Sequence, residues 1–387
     1  MKVLVLSTAP DHPTLPRPRL LVESLRAAGV EVTERRAPAR RPGASRARSL
    51  GSPREILLEL RRSAGALARL VAEASRAPRD VDAILVPYGG TLDPLLARAL
   101  ANARSRIPVV VDAFLSLQEA AVEDRRIVRE DSARARALGA LDRLAVRCAD
   151  LLLVDTPETA DLFVARYGAE RRRCLALPVG SDLVFRPFEP GNGRLRVLFA
   201  GTGIPFHGVE HILGAFVRLE RGERPIELVL VGATVEDRTA AAALRNVRVV
   251  PGPVDRDRLG ELHARTDAVL GVFGAGAKAD RVVPCKVYDA LASGRAVVTG
   301  ASLAAQRLLG SAGGIEFVPR ADPSALATAL EGLFREPERT RRMGIENRRT
   351  FEARFAPRVL GETLREAIAS LRPREASAGS HARTVPT

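Results

Sequence analysis

Twice along this chain, short apolar runs alternate with longer Arg/Ala/Leu-rich stretches of helical spacing, and a Pro/Gly-rich break separates the two series. The first series has apolar runs at 3–6, 83–86, 107–111 and 151–154; the second has them at 195–200, 226–231, 247–250, 267–273 and 296–299. Strands that recur with a helix between them are parallel and buried on both faces, so the pattern predicts an α/β fold with two doubly wound, Rossmann-like domains. At Asp155-Thr-Pro-Glu158 the junction of such a unit is readable: Asp or Thr caps a helix, Pro fits its first turn and Glu158 completes a capping box. The expected organisation is a first domain over 1–178, a linker over 179–194 and a second domain over 195–355. A helix over 356–372 then packs back on the first domain, and a Pro/Ser/Ala/Gly tail from 373 to 387 is disordered. Helices are predicted at 324–335, 337–354 and 358–371.

Length agrees with this, since 387 residues exceed one ordinary core and 46% hydrophobic content fills two. The net charge of +14 is spread evenly between the two halves, and aromatic residues are only 4% with no Trp, so stacking platforms for single-stranded nucleic acid are thinly supplied. A nucleic-acid protein rests on net charge alone. Cys148, Cys174 and Cys285 are odd in number and lack paired spacing, which suits a reducing compartment. No signal peptide opens the chain and no apolar run of about 18 residues occurs, so a cytoplasmic protein is expected. Residues 35–54 hold seven Arg and no acid; they read either as a solvated loop or as a peripheral contact to anionic lipid headgroups.

Of the 60 basic residues only three are lysine, leaving 57 arginines, and Lys278 and Lys286 lie eight apart in one stretch. An ammonium is a compact point charge where a guanidinium is a wide planar fork, so against this background the pair reads as chosen for shape. Lys2 is ordinary. Pro284 is placed in the first turn of a helix, with Lys286 just inside, Asp289 one turn later on the same side and Gly294 just past the end. Such a helix head offers a cation to a diphosphate and a carboxylate to vicinal ribose hydroxyls; the plainer account is an exposed ion pair worth a few tenths of a kcal/mol. Upstream, Gly201-Thr202-Gly203-Ile-Pro-Phe206-His207-Gly208 follows a strand and precedes a helix, as a phosphate-binding turn does. Phe206 stands where a dinucleotide fingerprint needs its third glycine, so nicotinamide chemistry loses its support.

With these residues in place, the segment 197–318 resembles the donor-binding half of family-four glycosyltransferases of the GT-B fold. The resemblance is carried by the Gly201–Gly208 turn, by Leu270-Gly-Val-Phe-Gly, and by Val283-Pro-Cys-Lys286-Val287-Tyr-Asp289-Ala-Leu-Ala-Ser-Gly-Arg-Ala-Val-Val298. The first half is similar to one bacterial subgroup at Val111-Asp112-Ala-Phe-Leu-Ser116, at Asp124-Arg125 and at Leu153-Val-Asp-Thr156. The chain departs from the broad family at Arg281 and Asp289, which stand where two Glu are usual, and at His207, where Lys is usual.

The resemblance implies two domains facing across a cleft and transfer of a sugar from a nucleotide diphosphate donor to an acceptor hydroxyl, with retention and without a protein nucleophile. The acceptor is a glycan, a lipid-linked sugar or a small molecule; no cofactor, metal or nucleic acid is expected. Donor binding falls to Gly201, Thr202, Gly203, His207, Gly208, Val283, Lys286, Val287 and Asp289. Lys278, Arg281 and Lys286 are expected to surround the leaving diphosphate, replacing the positive charge lost at 207. On the acceptor side, Asp112, Asp124, Arg17 and Arg19 are candidates. Asp255-Arg-Asp257 reads as a helix N-cap rather than a metal motif, and His12, His211, His263 and His381 show no ligand spacing. A sugar-nucleotide epimerase on the same scaffold and a non-catalytic sugar-nucleotide binder are the alternatives, the latter suggested by Arg281.

Overall fold

The computed structural model describes residues 1–9, 16–38, 53–104, 107–189 and 193–371, with backbone alone for 53–60. His12, His381, most of the Arg-rich stretch and the tail from 373 lie outside the described residues.

Two six-stranded, wholly parallel sheets make up the structure. The first is built from β1 (Lys2–Ser7), β2 (Glu31–Arg36), β3 (Ala83–Val86), β4 (Val109–Asp112), β5 (Leu151–Val154) and β6 (Cys174–Ala176), in the order β2-β1-β3-β4-β5-β6. The second contains β7 (Leu195–Gly201), β8 (Ile226–Gly232), β9 (Val247–Val250), β10 (Ala268–Leu270), β11 (Ala296–Gly300) and β12 (Ile315–Val318), in the order β12-β11-β10-β7-β8-β9. Both are doubly wound, and in the second the order reverses between β7 and β10. Ligands of open α/β sheets bind at such a switch point, outside the carboxyl ends of the strands.

The central strands are fully buried because their apolar residues meet helices on both faces. Leu4, Leu6, Ile84 and Val109 face one core layer of the first domain, while Val3, Val5, Leu85 and Val110 face the other. The final helix, Pro357–Ser370, adds Leu360, Leu364 and Ile368 to that second layer, so the chain ends by packing on the first domain. A further core cluster runs across the seam: Leu20 and Phe114 of the first domain join Val179 and Leu183 of the connecting segment and Val287, Tyr288 and Leu291 of the second.

Caps follow local chemistry. Thr156 accepts the Thr159 N–H at the start of the helix Pro157–Tyr167, and Asp255 accepts the Arg258 N–H at the start of Arg256–Ala264. Two local readings are corrected. Glu158 completes no capping box, because Thr156 is the N-cap and Thr159 holds the third helical position; the Glu158 carboxylate instead reaches Arg307 Nη1 of the other domain at 3.0 Å. Pro284 is the extended N-cap of the helix Cys285–Ala292 rather than part of its first turn; its φ of −71° suits either place, but its ψ of 149° does not continue a helix.

Candidate functional site

The loops that leave β7 and β10 press together at the switch point. After Gly201 the chain makes a short turn, Pro205–His207, and Gly208 then enters the helix Val209–Arg221 with φ +65°. Phe273 N–H donates to the His207 carbonyl at 3.0 Å and Gly274 N–H to that of Phe206 at 3.1 Å. A Cβ on Gly208 would lie 2.6 Å from Gly274 N, and one on Gly274 2.6 Å from the Pro205 carbonyl oxygen, so side chains are excluded from both faces of this contact.

Into this junction the helix Cys285–Ala292 directs Lys286, its second residue. The residue is 8% exposed, and Nζ stands 3.8 Å from the centroid of the Phe199 ring with no hydrogen-bond partner. Burial lowers its pKa to about 7. His207, equally enclosed, has an Nδ1 without a partner, and its pKa falls well below the usual imidazole value through burial first and then the fields of Lys286 and Lys278. These two unsatisfied nitrogens converge on Gly201: a Cβ built there would meet Lys286 Nζ and His207 Cε1 at 2.9 Å and His207 Nδ1 at 3.0 Å. Buried polar groups are nearly always paired, so two orphans around one glycine mark a place shaped for a ligand. Thr202 and Gly203 continue the turn, Thr202 exposed and Gly203 at φ +72° beside Thr234.

The other expected site residues have protein partners. Lys278 pairs with Asp124 and stands 4.0 Å from Glu119; Arg281 pairs with Glu119 and, at 3.3 Å, with Glu123. Both cations are thus neutralised by acids of the first domain, and of the three cations expected around a diphosphate Lys286 alone has no partner. Asp289 accepts Ser181 Oγ–H at 2.6 Å and a bidentate Arg256, at 2.8 and 3.0 Å, so its carboxylate is clamped rather than open to a ribose. Val283 and Val287 belong to the seam core.

On the first-domain side, Arg17 is 1% exposed. It donates to Asp112 Oδ1 at 2.8 Å and to the Leu177 and Val154 carbonyls, and packs over Phe114. Arg17 and Asp112 are therefore an internal brace and not an acceptor contact. Burial still raises the Asp112 carboxyl above its ordinary value, against the pull of Arg17. Arg19 is half exposed and pairs with Asp182 of the connecting segment. Asp124 is also raised by burial, against the pull of Lys278.

Sequence reasoning missed Phe199, Glu119, Glu123 and Arg256. Phe199 reads as a strand residue, and Glu119 and Glu123 meet Arg281 from more than 150 positions away. The concentration of acid in Glu119–Asp124 opposite paired cations was the one signal available.

Residues 15–180 match the model of the Glycosyl transferase 4-like domain, and residues 194–336 match that of Glycosyl transferases group 1. Among curated proteins, D-inositol 3-phosphate glycosyltransferase 1 of Catenulispora acidiphila is 29% identical over 201 residues, 48% of this chain and 45% of that protein. The match thus spans about half the length of that relative. Among solved structures, sucrose-phosphate synthase from Thermosynechococcus elongatus superposes with a TM-score of 0.69 at 18% identity, covering 96% of this chain and 99% of that one. The Anabaena protein HepE in complex with UDP gives 0.66 at 15% identity, covering 96% and 100%. At these identities the structures speak for the fold.

Proposed function

Since the chain belongs to the family-four-like glycosyltransferases of the GT-B fold, we propose that it moves a sugar from a nucleotide diphosphate donor to an acceptor hydroxyl, with retention, in the synthesis of a bacterial polysaccharide, glycolipid or glycoconjugate. One observation carries the reading: Lys286 Nζ is buried, unpartnered and aimed at Gly201 at the switch point of the second sheet. Burying an ammonium without a counter-ion costs several kcal/mol, and an arriving diphosphate supplies that counter-ion. The same ammonium then stabilises the charge that grows on the leaving phosphate as the sugar departs. His207, held neutral by burial, contributes a hydrogen-bond donor and no second charge. Gly201 keeps the floor of the pocket free of side chain. HepE has also been solved in complex with UDP-glucose, which supports a sugar nucleotide as donor. Ribose capture by Asp289 would require Arg256 to give way, and it is left out of this reading.

The reading of the chain as a bare sugar-nucleotide binder rested on Arg281. A guanidinium engaged by Glu119 and Glu123 gives that residue a structural role, which removes the ground for the bare-binder reading. Titration with UDP, GDP and dTDP, followed by detection of sugar transfer or donor hydrolysis with the matching sugar nucleotides, tests the proposal. Binding of one nucleotide together with turnover supports it; binding of none contradicts it.

A further inference from the structure

Lys286 and His207 are 8% and 6% exposed, so the pocket proposed for the diphosphate is shut. Phe199, Gly201 and Phe206 of the second domain pack directly on these two side chains; separation of the domains widens the approach to them, and the ionic contacts that such a motion must break are identifiable. One ionic cluster, Arg19–Asp182–Arg256–Asp289, includes the connecting segment itself and lies where a hinge moves least. A second is the single pair Glu158–Arg307, whose guanidinium is largely exposed. The third joins two segments remote from the connection. Lys278 and Arg281, on the short helix Ala277–Arg281, face Glu119 and the carboxylates of the single π-wound turn Ala120–Asp124. Arg166 is the third cation and pairs with Glu123, so three acids are balanced by three bases. A hydrogen bond from Thr156 Oγ to the Arg281 carbonyl, 2.6 Å, ties the same helix to the first domain. Lys278 also closes on the pocket, 5.9 Å from the Phe206 ring and near enough to depress His207.

We propose that Lys278 and Arg281, gripped by Asp124, Glu119 and Glu123, are a latch that holds the domains closed over the anion pocket and sets the rate at which nucleotide enters and leaves. The three acids act as resident counter-ions: they stabilise two second-domain cations while the domains are shut, and separation returns all five charges to water. Breaking one partner of so enclosed a pair is costly, which makes the cluster a two-position device rather than a graded one. This inference rests on the donor reading for its purpose but not for its test.

Small-angle scattering of the full chain, without ligand, decides it. A compact chain of this length has a radius of gyration of roughly 21 Å, and Lys278→Asp and Asp124→Lys are each expected to raise the measured value by about 1 Å through domain opening. The double variant, with the charges exchanged, is expected to return to the wild-type value. Should either single variant fail to fold, Glu119→Gln with Glu123→Gln strips Arg281 of both acceptors while keeping side-chain shape, and is expected to expand the molecule likewise. In stopped-flow mixing with UDP, that variant should associate and dissociate severalfold faster than wild type. Unchanged scattering from folded variants, or a charge-exchanged double that stays expanded, overturns the latch. If wild type binds none of UDP, GDP and dTDP, the donor reading falls and the scattering alone still decides the latch.

Discussion

Lys286 Nζ stands 3.8 Å from the centre of the Phe199 ring and has no hydrogen-bond partner. The ring's negative face is worth about 0.5–2 kcal/mol to this ammonium, well below what burying the charge costs. The site is therefore held at the expense of stability, a condition found where a ligand completes the electrostatics.

That imbalance predicts opposite effects on stability and binding. The Lys286 pKa is about 7 in the folded chain against 10.5 for a free lysine, so between these values the unfolded chain binds more protons and stability rises with pH. Denaturant titrations of wild type from pH 7 to pH 10 should show this rise, and Lys286→Met should flatten it. At pH 7 and below, Lys286→Met should be more stable than wild type. A variant less stable at every pH would show that the ammonium is compensated by something else.

Proton uptake should accompany donor binding. A diphosphate favours the ammonium form, so at pH 8, where the unliganded Lys286 is mostly neutral, UDP should bind with uptake of close to one proton. Calorimetry in buffers of different ionisation enthalpy measures this number. Near pH 5.5 the lysine is already charged and uptake through it should vanish.

Gly201→Ala puts a methyl group 2.9 Å from Lys286 Nζ and from His207 Cε1. The lysine end can swing aside while the enclosed His207 ring must shift slightly, so the fold should survive with a loss of about 1–3 kcal/mol. Affinity for UDP should fall at least tenfold, because the methyl occupies the place where the two nitrogens converge. Equilibrium unfolding and titration on the same sample separate the two effects.

Arg17 and Arg19 lie two residues apart and should behave differently. Arg17→Ala leaves Asp112 buried and unpaired, and a loss of about 3–5 kcal/mol is expected. Arg19, half exposed, should cost no more than about 1 kcal/mol on the same change. Chemical denaturation of the two variants checks the contrast.

What the sequence disclosed follows from which strands are buried on both faces. All the central strands of both sheets were visible as apolar runs, and the unread ones, β2, β6 and β12, each lie at a sheet edge. In β2 the sequence is Glu-Val-Thr-Glu-Arg-Arg, which carries no apolar run because one edge meets solvent. At the site, Lys286 was legible because lysine is so rare in this chain. The fate of its companions was not. Whether Lys278 faces a ligand or a carboxylate is settled by Asp124, 154 positions earlier, and no local spacing encodes that meeting. The partners of Asp289 were hidden for the same reason, since Ser181 and Arg256 reach it from two other segments.

The central claim, that the lone ammonium at the switch point grips the donor diphosphate, is tested most directly by calorimetric titration of UDP into wild type and Lys286→Met at pH 7. The account predicts a dissociation constant at least tenfold weaker in the variant, with the fold intact and stability no lower. Equal affinity in the two proteins would contradict it.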